Sequence, residues 1–272
     1  GLLYLAHPGG TKSLRAGPVS FGAGLLGVGG LYLAGPASLE SGPFSQGAGA
    51  YGAGVVWSSG SGSAFTQELA GQGYGTTRGA GLFSHGGPDA RFSCGLTRPD
   101  PRDEQATLGL CQGAGYGPRG FAGGGFGALS VDGDRAVLRA GYMAQGLGYW
   151  RAAGLLALRG DGLSVQGRRY VQGAGVHTGL GAVRYDGSSS TFRVWGVGPA
   201  FGWDYGVGLF HGRGDDNLLA CEWACARGDV NGVGLARLEG RRWTLALEGA
   251  AQGAMRRNAP SWGLLAADDA RG

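Results

Sequence analysis

Glycine recurs at i and i+2 along this chain, at Gly22/Gly24, Gly47/Gly49, Gly52/Gly54, Gly79/Gly81, Gly173/Gly175, Gly179/Gly181, Gly206/Gly208 and Gly232/Gly234 among others. Two residues is the period of a β-strand, whose successive side chains point to opposite faces. One face of many strands would then be almost bare backbone, while the neighbouring Ala, Leu, Val, Tyr and Phe make the other face apolar. A curved sheet with its bare side inward and its apolar side toward lipid accounts for both faces. Disordered chains can also be glycine-rich, but they are poor in aromatics and rich in charge. Here aromatic residues make up 10% and charged residues only 15%. The chain should therefore fold as a single β domain over 1–272, with little polar cover.

Turn signals at Asp132-Gly133, Asp161-Gly162, Asp186-Gly187, Gly214-Asp215 and Glu239-Gly240 are separated by 29, 25, 29 and 24 residues. Each step accommodates a hairpin with strands of about ten residues, the length that crosses a bilayer when tilted. From Val233 to Gln252, Trp243, Leu245 and Leu247 alternate with Arg242, Thr244, Ala246 and Glu248, and a similar alternation runs from Arg135 to Gln145. The expected fold is all-β: an antiparallel meander of about 14–16 strands closed into an outer-membrane-type β-barrel. Its strands lie between about residues 18 and 252, after an irregular N-terminal segment and before a polar tail over 255–272. A glycine-rich β-solenoid or a stacked β-sheet assembly would give the same 24-to-29-residue spacing. Solenoid coils should repeat residues at equivalent positions, whereas the repetition found is one of turn chemistry, which favours the barrel. The tract from Ser45 to Gly54 is similar to a short piece of silk, in which Gly and Ala faces stack into tight sheets. That resemblance covers ten residues and implies an extracellular structural or self-assembling protein.

The net charge is +4, yet Lys12 is the only lysine and the arginines are scattered. Without a basic run or face, nucleic acid is not an expected partner. No run of 18 apolar residues exists, so a membrane span would have to be made of strands. The start at Gly1, without Met, suits a processed product.

Cys94, Cys111, Cys221 and Cys225 lack the C-x-x-C spacing of zinc and redox sites, which points to disulfides and an oxidising compartment. Pairing Cys94 with Cys111 would staple the foot of the polar, proline-bearing run from Thr97 to Gln105. Pairing Cys221 with Cys225 requires a bend, because a straight strand would hold the two residues about 13 Å apart. Crossed pairs remain open.

Other motifs point away from chemistry. Gly22-x-Gly24-x-x-Gly27 and Gly47-x-Gly49-x-x-Gly52 match a dinucleotide fingerprint in letters, but neither opens a helix in a βαβ unit. His7, His85, His177 and His211 are isolated. Ser84, His85 and Asp89 are close in sequence, but adjacent strand residues face opposite ways. No catalytic, metal or cofactor site is expected, and no small-molecule ligand can be inferred. Arg159-Gly160-Asp161, Arg213-Gly214-Asp215 and Arg227-Gly228-Asp229 resemble the integrin-binding adhesion motif, though turns select Gly and Asp for their backbone freedom.

Arg139, Arg193, Arg242 and Glu248 fall within expected strands and are assigned to a barrel lumen, since a charge facing lipid at mid-bilayer costs about 2–4 kcal/mol. Excess arginine there would favour anions. These features together suggest a non-enzymatic outer-membrane barrel, a passive channel or structural membrane protein, contacting lipid and able to self-associate. The alternative is a secreted or cell-surface glycine-rich β protein with a structural, adhesive or self-assembling role.

Overall fold

The computed structural model describes residues 1–6, 10–95, 99–100, 103–247, 253–254 and 260–268. The chain winds as a succession of short strands, each of which lies beside the strand about 27 residues before it. In one coil, Ala153–Arg159 joins sheet A, Ser164–Gly167 joins sheet B and Gly175–Val176 joins sheet C. In the next coil Leu180–Asp186, Thr191–Val194 and Gly202–Trp203 pair with them in parallel and in register. About nine such coils form a parallel β-solenoid. Among the described residues, sheet A contains ten strands and sheets B and C nine each.

This overturns the closed antiparallel barrel of 14–16 strands, and with it the porin-like channel. The solenoid held as the alternative is the fold. Alternating side chains do not distinguish the two, because parallel and antiparallel strands share the period of two. The segment from Val233 to Leu247 is not a hairpin. Val233–Glu239 lies in sheet A and Thr244–Leu247 in sheet B, each paired with the coil before it. Strands also reach beyond the expected span, at Leu2–Ala6, Lys12–Ala16 and Trp262–Ala267, the last within the stretch read as a polar tail.

The apolar rows face inward, not toward lipid. Leu31, Val56, Phe83, Leu129, Leu156, Val183 and Phe210 stack as one column of sheet A, opposite Leu39, Phe65, Phe92, Leu138, Val165, Phe192 and Leu219 of sheet B. Volumes compensate between neighbours. Gly212 leaves space in sheet A, and the buried ring of Trp243 fills it: a Cβ on Gly212 would come within 2.7 Å of that ring.

Sheets A and C meet with no side chain between them. Gly24, Gly49, Gly75, Gly115, Gly148, Gly175, Gly202, Gly228 and Gly253 form one ladder in sheet C. Gly29, Gly54, Gly81, Gly127, Gly154, Gly181, Gly208, Gly234 and Gly263 form another in sheet A. A Cβ at Gly49 would lie 2.0 Å from the Ala80 carbonyl oxygen, and one at Gly54 would lie 2.0 Å from that of Ala48. Backbone therefore packs on backbone along a seam, and a smaller apolar cluster, including Tyr74, Leu147 and Phe201, fills the far side of sheet C.

At the turn into sheet C, Gln46, Gln72, Gln112, Gln145 and Gln172 occupy equivalent places, all fully buried. Each Nε2 donates to backbone carbonyls of sheet B; that of Gln72 reaches Phe65 O at 2.9 Å and Ser93 O at 3.2 Å, one in its own coil and one in the next. The inward amide nitrogens thus bridge successive coils, while Oε1 of Gln46, Gln72, Gln145 and Gln172 finds no partner among the described residues.

Candidate functional surface

With the interior of the described coils filled by side chains, the outer faces and corners are what a partner can reach. The described residues enclose no lumen. Arg139 and Arg193, assigned there from the sequence, stand exposed in one column on the outer face of sheet B, together with Thr66, Ser93 and Gln166. Their strands alternate as expected, but the inward side belongs to Leu138 and Phe192. Arg242 lies at the corner between sheets A and B, where it forms an ion pair with Asp216. Glu248 lies outside the described residues.

Both disulfides join the pairs placed first from spacing: Cys94–Cys111 and Cys221–Cys225, with Cα atoms 6.4 and 5.9 Å apart. The first closes the base of an insertion that includes an antiparallel pair, Pro99–Asp100 with Asp103–Cys111. An open groove of about 530 Å³ lies beside it over sheet B, lined by Arg15, Glu40, Thr66, Gln67 and Ser93. In the second pair, sheet B ends at Cys221 and the chain bends before Cys225, which occupies the place of the glutamines.

The corner between sheets A and B carries the Asp-Gly signals. Gly133, Gly160, Gly187, Gly214 and Gly240 stack there; Gly160, at φ 132°, lies so close to the coil below that a Cβ would approach Gly133 O at 2.6 Å. The Asp134 carboxylate accepts from the Asp161 amide at 2.9 Å, and Asp161 from the Ser188 amide at 2.7 Å. Asp215 accepts from the Arg241 amide at 2.8 Å, which with the Arg241 side chain holds its carboxyl below the usual range. Side-chain bonding from Arg135 depresses Asp89 likewise, and Arg242 does so for Asp216.

Two of the Arg-Gly-Asp triplets, at 159–161 and 213–215, lie at this corner, with Arg213 paired to Glu239 and Asp215 to Arg241. The third runs into sheet C, where Asp229 is buried. The three do not form a common display. Nor do Ser84, His85 and Asp89 converge. Ser84 points outward from sheet A. His85 is buried in the core, its Nδ1 2.9 Å from Ser58 Oγ, and Asp89 is engaged at the corner. Burial pushes the His85 pKa down to about 4. Among the described residues no group of three His, Cys, Asp or Glu could hold a metal ion.

No protein-family model, curated protein or solved structure matches the chain. The surface that stands out on physical grounds is the outer face of sheet A. At the first outward position of each strand lie Val28, Ala53, Ala80, Phe126, Ala153, Leu180, Val207, Val233 and Trp262; at the second, Val55, Leu82, Ala128, Leu155, Ala182, Leu209, Leu235 and Leu264. Val28 and Trp262 are each 70% exposed, Leu180 43% and Leu82 37%. Over its first two outward columns sheet A is thus apolar on both faces, which strand alternation alone does not reveal. The interior columns account for one face; the outer one has no such covering in the described residues.

Proposed function

We propose that this chain is a non-enzymatic, secreted or cell-surface structural protein that acts as an adhesive or self-assembling element through the outer face of sheet A. The observation that carries this reading is the unbroken apolar row along that face, next to a sheet B whose outer face bears Arg, Thr, Ser and Gln. Monomeric soluble proteins rarely expose apolar patches beyond a few hundred Å², and larger ones mark contact surfaces. The two disulfides favour an oxidising compartment.

Adsorption from detergent-free buffer onto alkyl-coated beads and onto phosphatidylcholine vesicles tests the reading. Retention of the wild type on either surface, reduced at least tenfold by Leu155→Asp, is the expected outcome. Retention that ignores Leu155→Asp but falls on removal of Arg139 and Arg193 would transfer the function to sheet B.

A further inference from the structure

The outer face of sheet A is complementary to itself when one copy is turned end over end. Numbering the coils by their sheet A strands, with Leu2–Ala6 first and Trp262–Ala267 tenth, the reversal sets the fifth coil against the sixth, the fourth against the seventh, and so on. In the middle outward column, three of the five pairs oppose a large residue to a small one, Ala128 to Leu155, Leu82 to Ala182 and Gly30 to Leu235, while Val55 meets Leu209 and Leu2 meets Leu264. The first outward column does the same with Phe126 against Ala153 and Ala80 against Leu180. A shift of one coil in either direction loses this match, placing Leu82 on Leu209 or on Leu155.

The third outward column adds chemistry to shape. Its early coils carry Tyr4, Tyr32 and Trp57, with the first two rings stacked at 4.9 Å, and its late coils carry Arg184, His211 and Arg237. The same reversal brings Tyr32 to Arg237, a guanidinium against an aromatic ring of the kind that stabilises contacts, and Trp57 to the ring of His211, while Arg237 keeps its ion pair with Glu239. A parallel arrangement, about a two-fold along the solenoid, would instead set the third column against the first and leave Arg184, His211 and Arg237 opposite Leu180, Val207 and Val233.

The dimensions suit a dimer. Ten strands at about 4.8 Å spacing and five residues at about 3.3 Å give a projected face on the order of 700 Å², close to the roughly 800 Å² per partner of a stable interface. We propose that two copies of this chain pair face to face through sheet A, about a two-fold axis that runs parallel to the strands between the fifth and sixth coils. The proposal rests on the reading of sheet A as the contact face, and names its occupant.

Sedimentation equilibrium and chemical crosslinking test it on the whole chain. The wild type should be a dimer, and Leu82→Asp with Leu155→Asp should raise its dissociation constant about 30-fold or more, as loss of a central contact does. Both side chains point outward, so far-ultraviolet circular dichroism should be unchanged. Because all four native cysteines are bridged, single thiols can be introduced at Val55→Cys and Leu209→Cys. A bismaleimide spanning about 10 Å, the distance between packed sheets, should link the two variants when mixed and neither alone. Crosslinking within Val55→Cys alone, or a dimer indifferent to the aspartates, would overturn the pairing. A monomer that still adsorbs to apolar beads in a Leu155-dependent way would overturn it while leaving the contact-face reading intact; a monomer that does not adsorb would remove both.

Discussion

His85 shows how a single side chain can limit the conditions under which the coils stay together. Its neighbours in the column include Leu33, Ser58, Val131, Leu158 and Tyr185, and it packs against the rings of Phe65 and Phe92. Burial holds its pKa near 4, against about 6.5 in an unfolded chain. Above pH 6.5 both states are neutral at this site and it imposes no penalty. As pH falls from 6.5 to 4 the unfolded chain takes up a proton that the folded chain resists, so stability declines by on the order of 3 kcal/mol, then levels off. Urea denaturation at pH 7 and pH 4 should show this loss, and His85→Leu should remove most of that pH-dependent part. The corner carboxylates of Asp89, Asp215 and Asp216, depressed by their arginine partners, are lost at still lower pH.

Strands of sheets A and C are constrained less by what they contain than by what they lack. A Cβ at Gly154 would lie 1.9 Å from Leu147 O, and no rotamer change can relieve a clash with backbone. Gly154→Ala should therefore cost about 3 kcal/mol or more, whereas Gly86→Ala, two coils away in the same sheet with nothing within 4 Å, should be near neutral; the midpoints of urea denaturation compare them directly. Pairs such as Gly47/Gly49 look like one bare strand face, but Gly47 sits in a turn at φ 77° and Gly49 in a strand of sheet C. The i, i+2 signal therefore spans two elements. Counting Asp-Gly steps as 29, 25, 29 and 24 hid the regular march of the corner glycines 133, 160, 187, 214 and 240, at 27, 27, 27 and 26 residues. The solenoid signature was also present as Gln-Gly-x-Gly at 46, 72, 112, 145 and 172, with the wider intervals marking insertions. The β class could be read from composition, and spacing put the two observed disulfide pairings first while leaving crossed pairs open. Parallel pairing could not, since it depends on which distant strand each one meets, and the outer row of sheet A was hidden because its inner face is equally apolar.

For the molecule as a whole, each coil contacts chiefly the one before and the one after, so stability accumulates as a sum of coils and their interfaces. An irregularity in one coil is therefore tolerated if it is tied off locally. The Cys94–Cys111 bridge, spanning 17 residues, does this for the insertion between sheets B and C. Its removal by Cys94→Ala with Cys111→Ala should cost about 3 kcal/mol and leave most of the β content by circular dichroism in place, because the ladders of sheets A, B and C do not pass through the insertion, whose own strand Asp103–Cys111 pairs with Tyr142–Ala144. The glycine seam has a wider consequence. A layer that contains only main chain presents the same template at every level, so an added or deleted 27-residue unit needs no matching partner there, only compatible rings and aliphatics on the opposite side. Length in such a protein is then set by how many times the unit has been copied, and not by any one coil's side chains.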